Sequence, residues 1–396
     1  MPLRRLTGLE QESLRKEAAE LAEERERLHH LLNDRTVLLD TLVAELKALR
    51  KRFATPRRTR LVEGGDALVA QRAAAIRPNA ELQRQQAFSA LPPESRLLIQ
   101  ADGAVKILSP QMLGRLHLDE PIELGDHPSP ARLILPIAEQ PLLLAFTGSG
   151  RVALLRWEFA SQQPGKLERF LPESIEGEPV VQVLPLPSQG SLGLLSSDGR
   201  FKRMPVQELQ ELSGRATTVL KLKEGVTLRR VVAGQEGDTL VVASSTGRLL
   251  RLCLDETQLP LMGRAAQGPL LMRLLPGELV VGAACLPAID AETDKTITDS
   301  VVLATASGQL KRLLTSSLRP CQRGDMGQIG MRLQQRGDYL IDLQSAGSAV
   351  LGILTDKGWS CRIGSDELAG ENTSGTGISL PLPQGQQLQE LVPLIN

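Results

Sequence analysis

Six times along the chain, an apolar run meets a short glycine turn and is followed by a run that mixes apolar and basic residues. Leu97 to Leu108 turns at Gly103 and carries Lys106, and Leu142 to Leu155 turns at Gly150 and carries Arg151. Leu192 to Met204 turns at Gly199 with Arg200, Lys202 and Arg203, and Leu240 to Leu252 turns at Gly247 with Arg248 and Arg251. Val301 to Leu313 turns at Gly308 with Lys311 and Arg312, and Val350 to Ile363 turns at Gly358 with Arg362. Each unit reads as a β-hairpin whose glycine supplies the positive φ of the turn. From turn glycine to turn glycine the steps are roughly 47 to 50 residues, with one of about 61. A fixed period of that size marks a repeat architecture built of blades or solenoid turns.

The runs before the turns (Leu192 to Leu195, Leu240 to Val242, Val301 to Leu303) are nearly continuously apolar and predict buried inner strands. Those after the turns alternate, which predicts apolar side chains inward and basic ones on a single outer surface. A second glycine-bearing loop follows several hairpins: Met262 to Gly268 with Arg264, Arg323 to Gly327, Gly370 to Gly377, and more weakly Ser213 to Thr217. The long step before the fifth hairpin matches a polar insertion between Pro287 and Ser300.

Upstream of the repeats the period changes from two to about 3.6. Leu9 to Leu32 and Asp34 to Arg52 are rich in Leu, Ala, Glu and Arg, lack Gly and Pro, and predict two helices broken at Asn33-Asp34. Leu14, Ala18, Leu21 and Leu28 line one face of the first, and Leu38, Leu42, Leu46 and Leu49 one face of the second. Such a pair either packs on the rest of the protein or dimerises through residues 3–52. The expected organisation is a helical hairpin or coiled-coil fragment over 1–53, a linker over 54–94 and the repeat domain over 95–396. Within the linker, 67–76 reads as a short helix, and Arg57, Arg58 and Arg60 form a basic cluster suited either to solvent or to a duplex.

Composition narrows the function. Aromatic residues make up 2% of the chain, which leaves Leu and Val to fill the core and argues against single-strand binding by base stacking. Lys plus Arg and Asp plus Glu are equal at 46 each, so a nucleic-acid role must rest on where the cations sit and not on a global field. The cysteines, Cys253, Cys285, Cys321 and Cys361, form no C-x-x-C pair and read as buried free thiols. Neither a signal peptide nor an apolar span suited to a membrane stands out, which points to the cytoplasm. No cofactor or metal motif is visible, and there is no phosphate-cradling loop for a nucleotide. The single tyrosine, Tyr339, stands beside a turn and reads as a half-buried strand residue, not a nucleophile.

Leu3 to Glu12, with its Leu-Thr-Gly-Leu-Glu core, resembles the segment of DNA gyrase and topoisomerase IV A subunits next to the protein-gate end of their long coiled coil. Leu42 to Leu46 and Arg52 to Thr59, with its Arg-Arg-Thr, resemble the returning helix and its exit. The glycine-punctuated hairpins and blade-linking loops resemble the C-terminal domain of the same family. That resemblance implies a mainly β fold, a six-bladed β-pinwheel that binds and bends duplex DNA, preceded by the helical fragment. It also implies gyrase-like partners, namely the N-terminal part of a gyrase A chain and a gyrase B chain, and a bacterial, nucleoid-associated location. The family's winged-helix domain with its catalytic tyrosine comes before the segment that opens this chain, so the chain itself is expected to be non-catalytic. The glutamine-arginine-arginine-glycine-glycine box of gyrase A subunits is missing. Pro110 to Asp119 stands in the first blade, and the nearest echo is Gln322-Arg323-Gly324.

The DNA-binding set expected from spacing and resemblance is Lys106, Arg151, Arg200, Lys202, Arg203, Arg248, Arg251, Arg264, Lys311, Arg312, Arg323 and Arg362. A cation recurring at the same register would draw a stripe that meets phosphates around a ring. The same residues would equally serve as solubilising charge on outer strands. A protein-interaction scaffold with a coiled-coil dimerisation element is the competing reading, favoured by acidic patches such as Asp119-Glu120 and Asp290 to Asp294.

Overall fold

The computed structural model describes residues 8–53 and 83–395, apart from 119, 126, 162–164, 211, 213, 265, 289–298 and 348–349. The basic cluster at Arg57, Arg58 and Arg60, the short helix expected over 67–76, most of the linker and the core of the polar insertion lie outside these residues. The chain divides into two compact units, Met1–Pro78 and Asn79–Asn396.

In the first unit, α1 (Gly8–Asn33) and α2 (Arg35–Phe53) form the expected helical pair. Asp34 breaks them apart because its carboxylate accepts from the Thr36 N–H at 2.9 Å, from the Thr36 hydroxyl at 2.6 Å and from the Val37 N–H at 3.4 Å. That is an N-cap for α2, and these hydrogen bonds hold the Asp34 carboxyl below its ordinary pKa. Leu14, Leu21, Leu28, Leu42, Leu46 and Leu49 remain exposed on their helices.

The second unit is a ring of six small sheets, antiparallel except where β22 joins β17 in blade 5. In each blade a hairpin supplies the two middle strands: β1 (Arg96–Gln100) with β2 (Ala104–Leu108), β5 (Leu143–Thr147) with β6 (Arg151–Leu154), and β9 (Ser191–Ser196) with β10 (Phe201–Pro205). The second half of the ring repeats this with β13 (Thr239–Ser244) and β14 (Arg248–Cys253), β16 (Ser300–Thr305) and β17 (Gln309–Leu314), and β20 (Val350–Thr355) and β21 (Ser360–Gly364). The strand nearest the axis follows later in sequence: β4 (Ala131–Pro136), β8 (Val180–Pro185), β12 (Leu228–Gly234), β15 (Val280–Leu286), β19 (Leu340–Ser345) and β24 (Leu388–Pro393). Each of these carries a bulge against its hairpin, which sharpens the local twist.

The outermost strand of each blade is lent by the next. Between hairpin and axial strand runs a linking segment, and a short piece of it pairs with the preceding blade. β7 (Gly165–Lys166) completes blade 1, and β11 (Thr217–Thr218) completes blade 2. Backbone bridges from Leu261 and Leu270 complete blade 3, and β18 (Gln328–Ile329) completes blade 4. β22 (Gly370–Glu371) and β23 (Ile378–Ser379) complete blade 5. β3 (Ile122–Gly125), from the segment of blade 1, pairs with β21 of blade 6 and closes the ring. The closure is reinforced at the axis, where Ile134 and Ile395 exchange backbone bonds with the opposing strand at 2.8 and 3.0 Å and Arg132 grips Glu390 through two 2.9 Å bonds.

Leucine, valine and alanine fill the spaces between neighbouring blades, as the shortage of aromatics requires. β9 and β16 are buried throughout and β13 is buried from Leu240 onward, as their apolar runs predict. The entry to the ring is also packed. Helical residues 83–89 bring Ala87 and Phe88 onto the blade 1 core with Leu91, Phe88 stands edge-on to Trp157 at 5.2 Å, and Arg84 pairs with the buried Glu158 at 3.0 Å. Residues 83–94, read from sequence as the end of a linker, therefore pack as part of this unit. On the axis, Arg230 of β12 reaches past β15 to Asp342 of β19, with both side chains largely buried. It passes where Gly282 has no side chain: a Cβ there would stand 2.8 Å from the Leu343 nitrogen and 3.1 Å from the Asp342 carboxylate.

Candidate nucleic-acid interface

The second hairpin strand is not an edge, because the strand lent by the next blade lies outside it. The expectation that its basic residues all face solvent on one surface is therefore corrected by the structure. Lys202, Arg203, Arg248, Lys311 and Arg312 are buried, Lys202 and Lys311 to within 1% of full enclosure. Short swapped strands leave many linking-segment carbonyls without a ladder partner, and buried carbonyls need donors. The periodic cations supply them.

Counted from the turn glycine, they act at three registers. One residue after the glycine, Arg200 donates to the Gly268 carbonyl at 3.1 Å, Arg248 to that of Met326, and Gln309, in the same place, to that of Thr376 at 2.5 Å. Arg151 at this register instead holds Ser174 and Glu178 of its own blade at 2.6 and 2.7 Å. Three residues after the glycine, the Lys202 ammonium donates to the Val219 and Arg264 carbonyls at 2.5 and 2.9 Å. Lys311 repeats this with Gly330, Gly375 and Thr373 at 2.9, 2.8 and 3.3 Å, using all three of its donors. Four residues after the glycine, Arg203 donates to the Leu259 carbonyl at 3.4 Å, and Arg251 to those of Thr315 and Leu318 at 3.0 and 3.1 Å. Arg312 donates to Ser365 and Leu368 at 3.3 and 3.2 Å, and Arg362 to His117 of blade 1 at 2.7 Å, across the closing seam. Burial pushes the Lys202 amine down to about 8, against the opposing pull of Glu208, and lowers that of Lys311.

The glycines belong to the same joints. Gly150, Gly199 and Gly247 accept N–H bonds at their carbonyls from Val219 and Leu220, from Leu271 and Met272, and from Gly330 and Met331. In the swapped loops, Gly268 at φ +80° lies so close to β10 that a Cβ would stand 2.5 Å from the Phe201 carbonyl oxygen. The second glycine-bearing loop noted in the sequence is thus the swapped strand's approach to the blade before it.

Of the expected set, Lys106 and Arg323 are exposed, Arg323 while donating to the Gln258 carbonyl at 3.1 Å. Arg151, Arg200, Arg251, Arg264 and Arg362 are partly exposed, and Arg264 pairs with Glu208 at 3.0 Å. Tyr339 is 45% exposed, immediately before β19.

A group of cations that sequence spacing did not single out does face solvent. Thr218, Leu270 and Ile329 pair with Arg151, Arg200 and Arg248, so they occupy one register on the swapped strands of blades 2, 3 and 4. Three residues further on stand Lys221, Arg273 and Arg332, all exposed. Lys223, Arg319 and Arg323 are exposed on the same linking segments. The segment 315–339 carries Arg319, Arg323, Arg332 and Arg336 against Asp325 and Asp338, whereas 365–387 has acids and, apart from Lys357 before it, no Lys or Arg. The segment 109–130 sets Arg115 against Asp119, Glu120, Glu123 and Asp126. By sequence, 315–339 is net basic and 365–387 and 109–130 are net acidic, while 206–227 and 254–279, which carry Lys221 and Arg273, hold about as many acids as cations. Aligning the linking segments with each other, and not only the hairpins, would have exposed this pattern. Among the described residues, no group of three or more His, Cys, Asp or Glu side chains is placed to hold a metal, and no helix is long and apolar enough to cross a membrane.

A closed ring of hairpin blades, each completed by a strand from the next, is a six-bladed β-pinwheel. Residues 194–233, 238–287 and 299–346, which make up most of blades 3 to 5, match the family model of the DNA gyrase C-terminal domain, beta-propeller. The chain is 26% identical to the A subunit of DNA topoisomerase 4 from Synechocystis sp. over 87% of its own length and 46% of that protein. It is 22% identical to the A subunit of DNA gyrase from the same organism, over 96% of this chain and 46% of that one. Among solved structures, a DNA gyrase A C-terminal domain superposes with a TM-score of 0.60 at 14% identity, covering 76% of this chain and 99% of that one. The C-terminal domain of a DNA topoisomerase IV gives 0.59 at 18% identity, covering 76% and 93%. The chain is thus similar to the C-terminal portion of gyrase A and topoisomerase IV A subunits, and it spans under half the length of these relatives.

Proposed function

We propose that the pinwheel is a non-catalytic module that binds and bends duplex DNA along a basic arc formed by the exposed cations on the swapped strands of blades 2 to 4. The observation that carries this is the recurrence of Lys221, Arg273 and Arg332 at one exposed register on consecutive swapped strands. Cations repeated along a curved edge meet phosphates at intervals and read no bases, so binding is insensitive to sequence and steeply dependent on salt. Lys223, Arg319 and Arg323 extend the arc. The partly exposed Arg151, Arg200, Arg251 and Arg264 lie at its inner edge, and Lys106 on blade 1 and Arg362 on blade 6 stand apart from it. The acidic seam of blades 6 and 1 repels phosphate, so the duplex engages part of the ring and leaves it there. Similarity to gyrase A and topoisomerase IV A subunits supports a role within a topoisomerase assembly, with gyrase-like chains supplying the catalytic tyrosine and the ATPase and α1–α2 supplying a dimer contact.

The test is binding of the chain to a duplex of ~150 base pairs across a salt series, against a variant with Lys221, Arg273, Arg319 and Arg332 changed to Ala. Each lost phosphate contact lowers the slope of log affinity against log salt by about 0.9. An unchanged slope, or no binding at low salt, refutes the reading and favours a protein-interaction scaffold, for which the acidic segments are the observation in hand.

A further inference from the structure

The basic arc carries a second repeated feature. On blades 3 and 4 the residue three positions before the exposed cation is a large apolar side chain left in solvent: Leu270 is 40% exposed and Ile329 is 48% exposed. Their backbone pairing with Arg200 and Arg248 puts them at one register, with Thr218 equivalent on blade 2 and Ser379 on blade 5, both exposed. The next residues inward, Leu271 and Met272 on one strand and Met331 on the other, are fully buried. The strand thus has enough apolar side chains for its own core, and Leu270 and Ile329 lie outside it. Large apolar residues repeated on an outer edge, each beside a cation, mark a surface for a partner that is anionic and has apolar ground between its charges. The deoxyribose edges lining a minor groove have that chemistry, with phosphates on either side.

We infer that Leu270 and Ile329 are apolar wedges that press on the minor groove of the bound duplex while Arg273 and Arg332 hold its phosphates. This inference rests on the DNA-binding reading proposed above. An apolar wedge between base steps unstacks them and bends the duplex toward its major groove. When the duplex curves around the rim, a minor groove that faces blade 3 or blade 4 meets both parts of the doublet. The cations set affinity and its salt dependence, and the wedges set the bend. Blade 2, with Thr218 and Lys221, has the cation and a much smaller wedge.

The test uses an end-labelled ~150-base-pair duplex, with binding read by a salt series and bending by energy transfer between the ends. In the variant Leu270→Ser with Ile329→Ser, bending falls sharply and affinity drops about three- to tenfold, from the loss of two partly buried apolar contacts. The salt slope stays that of the wild type, because no cation is removed. Leu270→Met with Ile329→Met retains bending, which separates a need for apolar bulk from a need for these particular residues. Thr218→Leu, a gain on blade 2 at an exposed position, increases the bend and gives a readout independent of any folding defect in the serine pair. Wild-type bending in the serine pair, or no added bend in the Thr218→Leu variant, overturns the inference while leaving the cationic arc intact. If the wild-type chain fails to bind duplex at low salt, it is the proposed function that has failed.

Discussion

The blade-to-blade joint can be isolated by one pair of substitutions. Gly150 turns β5 into β6 at φ +79°, and its carbonyl accepts from the Val219 and Leu220 N–H groups of the next linking segment at 2.9 and 3.1 Å. A Cβ at Gly150 would lie 2.5 Å from the Leu220 carbonyl oxygen and 3.2 Å from both Leu220 Cβ and Leu222 Cδ1. Gly358 makes the same turn in blade 6 at φ +86°, yet a Cβ there meets nothing within 4 Å. Alanine at either position costs about 1 kcal/mol for holding a non-glycine residue at positive φ. Only Gly150→Ala must also push back a neighbouring backbone, loosening two hydrogen bonds of about 1 kcal/mol each. The expected losses are therefore about 3 kcal/mol for Gly150→Ala and about 1 kcal/mol for Gly358→Ala. Urea unfolding followed by far-UV circular dichroism measures both. Tryptophan emission adds local detail, because Trp157 is buried in the core between the first two blades and Trp359 adjoins Gly358. In a repeat array the damage should register most strongly at the joint that is altered. Equal losses for the two alanines would refute the argument that the turn glycines are fixed by contact with the following blade.

Three further outcomes follow from the buried charges. Burial raises the pKa of Glu278, but donation from Arg248, the Leu275 N–H and the Ser244 and Thr246 hydroxyls outweighs it and holds the carboxyl at about 2. Its contribution, about 3 kcal/mol, is present above the ordinary value of 4.5 and is lost as pH falls toward 2, so Glu278→Gln should flatten the acid side of the pH–stability curve. Lys202 has the opposite sign: with its amine at about 8 instead of 10.5, the folded chain gains stability as pH rises through that window. Lys202→Met should remove that alkaline gain, and at pH 7 it leaves the Val219 and Arg264 carbonyls without their donor. Asp342→Ala strands the Arg230 guanidinium on the axis and should cost about 3–5 kcal/mol by urea midpoint, with Arg230→Met in the same chain recovering much of it. Failure of the second substitution to recover stability would show that Asp342 acts through the Leu343 and Leu391 N–H groups it also accepts from, and not through the arginine.

The fold was largely legible in the sequence because its cause is local and repeated. Leu192 to Leu195 and Val301 to Leu303 are too apolar to face water on either side, and the glycine after each turns the chain back at a positive φ that other residues avoid. The break at Asp34 was legible for the same reason, since a cap forms within three residues of its carboxylate. What could not be read locally is which strand ends up at the edge. Lys202 and Arg203 sit in an alternating run, and alternation does predict one wet face when a strand borders solvent. Here the bordering strand arrives from some 60 residues later in the chain, as when Leu261 pairs beside Arg203 and Leu270 beside Arg200. No periodicity within the hairpin carries that information.

The swap also accounts for the kind of residue it conceals. A strand of two residues cannot ladder the carbonyls of a long linking segment, and a leucine at the inner register would leave them orphaned. A guanidinium with five donors, or an ammonium with three, satisfies several at once from one side chain. Lys311 does so for Gly330, Thr373 and Gly375, and Arg251 for Thr315 and Leu318. Basic residues therefore recur at fixed distances from the turn glycine for a reason that requires no ligand, and the spacing alone cannot distinguish a joint from a binding stripe. The distinction lies one blade further on. Where the swapped strand itself becomes the edge, at Lys221, Arg273 and Arg332, the cation stays exposed, Arg273 while also donating to the Gly324 carbonyl at 3.3 Å. The positive charge that holds the blades together and the positive charge left at the surface are thus separated by a single strand, the first beneath it and the second upon it.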